Sequence, residues 1–419
     1  MPAKRCLLES IVKDLAPDVW LIMTATFLRN LGFGLISVTL GLTLVARGFS
    51  AAAIGGLFAL ALLSGGAQSA LFGLGANRFG RRRLLLLQAV AIMVGGALLA
   101  WSLSPWVIGL AALLASFSPT GKDIGGMLPL EQAGLARVVP ADRRTFIYAN
   151  YNLIAAVGTA LGALAAGVFA GHGAGGSFSP FAWRFALILY GLLGLALAVL
   201  YNRLTAAVEG GGKAAKAPPL GPSRTIVTRL TALFGVDALA GGLVVQGIVV
   251  VLLHNRFGVG LGVLGPLFFL SNLAAAGSYL AAAPLAKRFG LLPTMVFTHL
   301  PSNVLLLLVA FAPTFPVAAA LWVARSLLSQ LDVPTRQAYT MAMVQPDEQA
   351  AAAGLTASVR GVSSAVSPSL SGLAMAQGLF GLPFIAAGTL KALYDLALYA
   401  IFRGVPLPSE RAQASSRVT

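Results

Sequence analysis

The pentapeptide at residues 76–80, Ala-Asn-Arg-Phe-Gly, is followed 210 positions later, at residues 286–290, by Ala-Lys-Arg-Phe-Gly. In both places a long apolar stretch precedes the pentapeptide and another follows it. A basic, Gly-containing interruption between two apolar stretches is typical of a short connection between two membrane helices. The chain therefore contains the same helix-turn-helix unit twice.

Further matches occur in the same order at a nearly constant offset. Residues 129–133 (PLEQA) correspond to residues 334–338 (PTRQA) at 205 positions, and residues 28–31 (LRNL) correspond to residues 236–239 (VDAL) at 208 positions. Ala- and Gly-rich helices align with many sequences, so one match would carry little weight, but an ordered series indicates internal repetition. The sequence predicts two parallel repeats, an arrangement in which transporters place the substrate site between the halves.

The composition excludes a soluble enzyme. Of the 419 residues 58% are hydrophobic and only 10% are charged, whereas soluble domains carry about 25% charged residues. Apolar stretches of about 20 residues, the length that crosses a bilayer as a helix, recur along the chain. We predict an all-α membrane protein of twelve transmembrane helices in two pseudo-symmetric six-helix bundles. The predicted spans are residues 19–45, 51–74, 84–103, 106–132, 146–170, 182–204, 226–252, 262–286, 291–312, 317–340, 351–376 and 383–402.

The net charge of +16 follows from membrane topology. With the N-terminus inside, twenty of the 29 basic residues fall on the inner side, as the positive-inside rule requires. We therefore expect a multi-pass protein of an inner (plasma) membrane with both termini cytoplasmic, surrounded by lipid and without a nucleic-acid partner. The single cysteine, Cys6, offers no disulfide or metal pair, so no cofactor or metal is expected. The predicted domains are a lead (1–18), a first bundle (19–204), a linker (205–223), a second bundle (224–402) and a tail (403–419).

Residues 73–83 (GLGANRFGRRR) resemble the inner-loop signature of the major facilitator superfamily, Gly-x-x-x-Asp-Arg-x-Gly-Arg-Arg/Lys, at every fixed position except Asn77, which replaces the Asp. The resemblance implies a secondary transporter that works by alternating access. It also implies that this loop latches the inner ends of the two halves, which would make Asn77, Arg78, Gly80 and Arg81 part of an inner gate.

Residues 158–167 resemble in part the Gly/Pro-rich motif of drug antiporters, although the Pro of that motif is found only at the equivalent place in the second half, at Pro368. The resemblance implies a drug-antiporter-like branch of the family. The alternative interpretation is that these small residues only permit tight helix packing.

Ionisable residues inside membrane spans are costly and mark functional candidates. Arg29 and Asp237 correspond by the repeat, and we expect them to pair across the repeat axis in the central cavity, or alternatively to form a permanent salt bridge that only holds the bundles in register. Glu131 and Arg336 form a second charge-swapped pair near the inner ends, which predicts an inner gate or a scaffold network. The other predicted residues of the substrate and coupling cavity are Asn30, Lys122, Asp123, Gln246, Arg325, Asp332 and Arg360.

Three further residues have less direct roles in this interpretation. Lys391 and Asp395, four residues apart on one helix, are expected to neutralise each other. His299 is expected to be a hydrogen-bonded helix residue and not a proton relay.

The candidate proton carriers are the acids Asp123, Asp237 and Asp332.

The sequence contains no nucleophilic elbow or phosphate-binding loop, so no enzymatic activity is predicted. We predict proton-coupled efflux of a small organic compound by a monomeric antiporter. The first alternative is uptake or exchange of an organic anion; the intramembrane cations favour it, and the matching acids oppose it because they could neutralise those cations. The second alternative is a non-transporting receptor or lipid-handling protein with the same fold.

Overall fold

The computed structural model describes residues 15–114, 117–140, 143–170, 180–209, 221–345 and 348–405. Most of the predicted lead, linker and tail therefore lies outside the described residues. The described part of the first half contains seven helices: α1 (Pro17–Ala46), α2 (Ala51–Phe79), α3 (Arg81–Trp101), α4 (Pro105–Leu113), α5 (Met127–Val138), α6 (Arg144–Ala170) and α7 (Pro180–Asn202). A single 3₁₀ turn, Ala206–Val208, follows α7.

Between residues 221 and 405, the described residues of the second half form eight helices: α8 (Arg224–Gly242), α9 (Gln246–Phe257), α10 (Leu261–Phe289), α11 (Leu291–Val309), α12 (Phe315–Ser326), α13 (Asp332–Met343), α14 (Gln349–Ala376) and α15 (Leu382–Phe402). Eight helices of the described residues are long and apolar enough to cross a membrane, and the pair α8 and α9, bent by 41°, would make a ninth. The prediction of an all-α membrane protein is confirmed.

The outer surface of the bundle is apolar. Leu74 and Leu280 are 85% and 72% exposed, and Trp101 and Trp106, at one end of the bundle, are 76% and 88% exposed. Large apolar side chains in such positions are stabilised by lipid, and Trp is enriched where a membrane meets water. The surface is therefore that of a protein embedded in a bilayer.

Three of the predicted spans are broken, which corrects their description as continuous helices. Span 4 consists of α4 and α5, span 7 of α8 and α9, and span 10 of α12 and α13. In span 4, Pro119 has no amide hydrogen to donate, and Gly121 has φ +73°, which side chains disfavour. The hydroxyl of Ser118 donates to the carbonyl of Lys122 at 2.5 Å and so satisfies part of the interrupted backbone.

The two repeated pentapeptides adopt the same structure. Gly80 separates α2 from α3 with φ +87°, and Gly290 separates α10 from α11 with φ +88°. Only glycine takes this conformation without strain, which explains why both copies end in Gly. Because successive spans run in opposite directions, these two turns lie on the same side as the described ends of the chain. We call this side the terminus face.

The two halves are closely packed on the face opposite the terminus face. A Cβ added to Gly265 would lie 2.5 Å from the Cα of Gly167, and one added to Gly55 would lie 2.3 Å from the carbonyl oxygen of Pro368. These glycines lie near the ends of their helices that are farther from Gly80 and Gly290. The halves therefore touch backbone to backbone at the opposite face, with cavities between them elsewhere.

Candidate functional site

Two adjoining cavities lie between the halves. The larger, of about 580 Å³, is lined by residues of α1, α5, α6, α10 and α13, and the smaller, of about 240 Å³, by residues from the α8–α9 junction, α10, α11, α12 and α15. Lys122, Asn272 and Ala275 line both. The larger cavity also includes Gln337 and Asn152, which are exposed. The two cavities therefore adjoin between the bundles, and the smaller one has the more polar lining.

A buried ion pair joins span 1 to span 4 of the first half. Nη2 of Arg29 lies 2.6 Å from Oε2 of Glu131, whose side chain is fully buried. Glu131 also accepts hydrogen bonds from the hydroxyls of Tyr151 (2.6 Å), Tyr201 (2.6 Å) and Thr26 (3.0 Å). Four donors saturate this carboxylate, and buried charges are tolerated in this way.

Asp123 is the second acid beside Arg29, and unlike Glu131 it faces the larger cavity. Its Oδ2 lies 3.1 Å from Nε of Arg29 without hydrogen-bonding geometry, and its Oδ1 accepts from the amide of Gly125 at 3.0 Å. The carboxylate of Asp123 therefore accepts fewer hydrogen bonds than that of Glu131, and it is accessible from the larger cavity.

In the second half the central charge is an acid. Asp237 accepts from Nζ of Lys391 at 2.5 Å, from Arg360 at 2.8 Å and from Arg336 at 3.4 Å. Arg336 also donates to Asp332 at 2.5 Å. Five charged groups, three basic and two acidic, thus form one cluster within the second bundle.

These contacts correct the predicted pairing between the halves. Arg29 pairs with Glu131 and Asp237 with Arg336, so each ion pair lies within one bundle. The prediction of an Arg29–Asp237 pair was wrong because the repeat gives equivalent positions without making them neighbours, whereas spans 1 and 4 of one bundle are in contact. Glu131 and Arg336 are buried in these clusters, in agreement with the alternative of a scaffold network. Their role in an inner gate stays a prediction.

The predicted cavity residues divide into two groups. Those that line one or both cavities are Arg29, Asn30, Lys122, Asp123, Gln246 and Arg325. Asp237, Asp332 and Arg360 line neither, because they are held in the cluster of the second bundle. Their role in the substrate and coupling cavity stays a prediction.

Lys391 and Asp395 do not pair with each other, contrary to the expectation from their spacing. Lys391 turns to Asp237, and Asp395 accepts from His299, with 3.0 Å between Oδ1 and Nδ1, and from Asn303 at 2.8 Å. The expectation that His299 is hydrogen-bonded agrees with this contact. Sequence analysis did not assign Lys391 and His299 to the cavity, yet both line the smaller cavity; the only available signal was that each is a polar residue inside a span.

The wall of the smaller cavity is basic. Its lining includes Arg325, Lys122, Lys391 and His299, and none of the described residues that line it is an acid. The guanidinium of Arg325 lies 4.8 Å from the centre of the Trp322 ring, and no described carboxylate lies within ion-pair distance of it. Lys122 donates to the side-chain oxygen of Gln330 at 3.2 Å. Arg325 and Lys122 are therefore cations without a described acid partner.

Gln246 connects the halves beside the smaller cavity. Its Nε2 donates to the hydroxyl of Ser37 at 2.8 Å, and its Oε1 accepts from Asn272 at 3.1 Å. The adjacent amide of Gly247 donates to the carbonyl of Pro119 at 2.8 Å. The break in span 7 thus bonds directly to the break in span 4, which uses backbone groups that the interrupted helices leave free.

The predicted inner-gate loop is held by the start of the predicted linker, which follows α7. The amide of Arg81 donates to Glu209 at 2.6 Å, and the guanidinium of Arg81 donates to the carbonyl of Val208 at 2.8 Å. Arg78 is exposed and lies over the ring of Phe79. Gly80 forms the turn, and the side chain of Asn77 lies outside the described residues. A latch between the halves, formed by these four residues, stays a prediction.

The arrangement can bind a small polar or charged molecule between the two bundles. No group of His, Cys, Asp and Glu in the described residues could hold a metal ion. Enclosed cations of this kind bind anions by charge-assisted hydrogen bonds. The site therefore has the character of a binding cavity.

Comparison with known proteins agrees with this architecture. The chain is 24% identical to the uncharacterized membrane protein YJR124C of Saccharomyces cerevisiae, covering 93% of this chain and 94% of that protein. The crystal structure of the nucleoside transporter NupG has a TM-score of 0.72 at 13% identity, covering 92% of this chain and 99% of that one. The human organic anion transporter MFSD10 (TETRAN) has a TM-score of 0.63 at 18% identity, with 92% of this chain and all of that one covered.

The sequence pattern of the Major Facilitator Superfamily matches residues 22–302. This segment includes nearly all of the first half and more than two spans of the second. The neighbouring structures share the same fold over more than nine-tenths of the chain. The chain is therefore a multi-pass secondary transporter, not an enzyme, and belongs to the Major Facilitator Superfamily.

Proposed function

We propose that the protein transports a small organic anion by alternating access, with the smaller cavity as the anion site. The observation that carries the proposal is the basic wall of this cavity, where Arg325 and Lys122 lack described acid partners. A carboxylate or sulfonate would offset the charge of these side chains and accept hydrogen bonds from them. An organic anion therefore fits this cavity better than an organic cation does.

The objection to an anion substrate was that the intramembrane acids could neutralise the cations. Asp123 and Glu131 are directed to Arg29, and Asp237 is directed to Lys391, Arg360 and Arg336. None of these acids is in contact with Arg325 or Lys122. The charge balance of the interior is thus achieved locally, and two cations remain available to a ligand.

Export of an uncharged or cationic compound, the first expectation from sequence, has weaker support in the geometry. A cationic compound needs an acid in the site, and the acid that lines the larger cavity, Asp123, already lies 3.1 Å from Arg29. At 18% identity, the likeness to a human organic anion transporter is one of fold alone. The proposal for an anion rests on the cations of this chain.

We further propose that the terminus face is cytoplasmic, because most basic residues lie on that side. The protein then resides in an inner (plasma) membrane with both termini inside, and works as a monomer. Its transport is coupled to protons. Of the three acids suggested by the sequence as proton carriers, Asp123 alone lines either cavity.

The proposal is tested by ligand-induced thermal stabilisation of the purified full-length protein. Benzoate and benzenesulfonate serve as anionic probes and tetraphenylphosphonium as a cationic one. The variants are Arg325→Gln and, as a matched control, Arg229→Gln, which removes an exposed arginine of α8. We expect both anions to raise the Tm of the wild type and of the control, and to lose this effect in Arg325→Gln.

Stabilisation by tetraphenylphosphonium alone would contradict the proposal and favour the export of a cationic compound. Counterflow of labelled benzoate in proteoliposomes then separates a transporter from a receptor with the same fold. Uptake of label into vesicles preloaded with unlabelled benzoate is expected, and binding without uptake would support the receptor.

A further inference from the structure

His299 lies on α11 and forms part of the wall of the smaller cavity, together with Arg325 and Lys391. Its side chain is 3% exposed, and its Nδ1 lies 3.0 Å from Oδ1 of Asp395. Asp395 is fully buried and also accepts from Nδ2 of Asn303 at 2.8 Å. A buried imidazole–carboxylate pair therefore stands directly behind the anion site.

The hydrogen bond to Asp395 determines which ring nitrogen is available. Nδ1 of His299 lies 3.0 Å from Oδ1 of Asp395 and 3.2 Å from Nδ2 of Asn303, which is a donor. An ionised carboxylate only accepts hydrogen bonds, so with Asp395 ionised Nδ1 carries the hydrogen that points to Oδ1, and the amide of Asn303 donates to Oδ2. In the neutral imidazole the other nitrogen, Nε2, then has the free lone pair. Taking up a proton at Nε2 turns His299 into a cation while its bond to Asp395 is kept.

The charged and titratable groups around His299 have opposing effects. α13, which packs against α11, carries Arg336 and Asp332, and these two pair with each other. Asp395 on α15 and Asp237 on α8 favour the protonated ring. Lys391 on α15 and Arg325 on α12, which share its cavity, disfavour it, and Tyr394 packs edge-on against it. An anion in the cavity would offset these two cations and so shift the balance towards the protonated ring.

We propose that His299, held by Asp395, is the proton-binding site that couples protons to the anion, so that proton and anion bind together and cross the membrane in the same direction. This inference rests on the proposed function, which it deepens by assigning the carrier and the sense of coupling. The protonated ring adds a cation to the wall of the cavity that already holds Arg325 and Lys122. Each ligand thereby raises the affinity for the other, because linkage is reciprocal.

The assignment predicts a dependence of anion affinity on pH with a definite sign. When one proton is linked to binding, the affinity rises by up to about tenfold for each unit that the pH falls, within the range where His299 titrates. Histidine normally titrates near pH 6.5, so pH 6 to 8 is the range to measure. Benzoate and benzenesulfonate remain fully ionised there, so any change of affinity belongs to the protein.

The experiment measures the Kd of both probes by calorimetry on the full chain in lipid nanodiscs. Three variants are compared with the wild type. His299→Gln removes the proposed carrier, and Asp123→Asn removes the acid of the larger cavity. The control is His254→Gln, because the imidazole of His254 is hydrogen-bonded to the carbonyl of Val259 and lines neither cavity. We expect the wild type, His254→Gln and Asp123→Asn to bind more tightly as the pH falls, and His299→Gln to bind with little dependence on pH.

The outcomes separate this inference from the proposed function. If no probe binds to the wild type at any pH, the anion proposal fails and this inference fails with it. If the probes bind but His299→Gln retains the full pH dependence, His299 is not the carrier and the anion proposal stands. If Asp123→Asn alone loses the dependence, the proton is carried by the acid of the larger cavity.

A second measurement covers the case in which His299→Gln does not fold. The chain has three histidines, so the double variant His172→Gln/His254→Gln leaves His299 as the single imidazole for ¹⁵N NMR. We expect saturating benzenesulfonate to move its titration midpoint to higher pH. An unchanged midpoint would overturn the inference.

Discussion

Arg29 and Glu131 form a buried ion pair, with 2.6 Å between Nη2 and Oε2, that joins spans 1 and 4 of the first bundle. At the equivalent positions of the second bundle the charges are exchanged, so that Asp237 faces Arg336. Both bundles thus fasten the same two spans by opposite arrangements of charge. When two bundles rock as rigid bodies, an ion pair within one bundle moves with that bundle, so we expect both pairs to persist through the transport cycle.

The first prediction concerns the loss of one partner. Arg29→Met leaves Glu131 as a buried charge with only hydroxyl donors, and such a broken buried pair costs about 3–5 kcal/mol. We expect a large fall in the Tm of the purified protein. Arg229→Gln, which removes an exposed arginine, is the control and should leave the Tm nearly unchanged.

Charge reversal then distinguishes pairing within a bundle from pairing across the halves. Arg29→Glu combined with Glu131→Arg restores opposite charges and should recover part of the stability. Arg29→Asp combined with Asp237→Arg should recover none, because it damages both clusters. Recovery by the second combination would show that the pair spans the halves.

The second prediction concerns the close contact on the face opposite the terminus face. In Gly55→Ala the new Cβ would meet the carbonyl oxygen of Pro368 at 2.3 Å, and backbone atoms cannot move aside as a side chain can. We expect this variant to separate the halves there and to depopulate the conformation described. Gly56→Ala is the control, because nothing lies within 4 Å of its Cβ.

The population is followed by labelling a cysteine placed at Gln337, an exposed residue of the larger cavity, in a Cys6→Ser background. We expect a membrane-impermeant maleimide to label the Gly55→Ala protein several-fold more slowly than the Gly56→Ala protein. Equal rates would show that the glycine contact does not control the opening of the cavity.

The third prediction concerns Glu348, just before α14. Hydrogen bonds from the side chain of Ser223 and from the backbone amides of Gly221 and Ser223 lower the pKa of Glu348. A carboxyl with a lowered pKa in the folded state adds stability above its unfolded pKa, and this stability is lost as the pH falls through the folded value. We expect Glu348→Gln to lower the Tm at pH 7 and to have no effect well below pH 4. If the Tm of Glu348→Gln stays below that of the wild type in acid, the charge of Glu348 is not the source of the stability.

The sequence predicted correctly those features that only one type of residue can provide. Gly80 and Gly290 were recognised as repeated turns, and both adopt a positive φ that only glycine tolerates. Arg325 was found because a charge inside a span is rare. The partners of Arg29 could not be found in this way, because the repeat fixes the depth of a residue in the membrane but not the direction in which its helix faces.

The breaks in three spans are a second limit. A window of apolar residues passes over Pro119 and Gly121 because the average hydropathy remains high, although the dipeptide signals near them favour an interruption. The consequence for the site is considerable, since Lys122 reaches both cavities from this irregular segment. In a continuous helix, the direction of the Lys122 side chain would have followed from helical periodicity alone.

The fourth prediction separates the two roles that Lys122 can have. Lys122 is exposed to both cavities and donates to Gln330 of the other half at 3.2 Å, so it could bind the anion or merely bridge the bundles. A hydrogen bond to a charged group is worth about 1.5–3 kcal/mol, or about 10- to 150-fold in affinity. We expect Lys122→Gln to weaken benzenesulfonate binding by this factor with an unchanged Tm, and Lys122→Arg to retain most of it. Gln330→Ala removes the bridge but keeps the cation. Its Kd for benzenesulfonate should therefore stay within about threefold of the wild-type value, a smaller change than the loss of one charged hydrogen bond would cause. An equal loss of affinity in Gln330→Ala and Lys122→Gln would show that Lys122 acts only as a bridge.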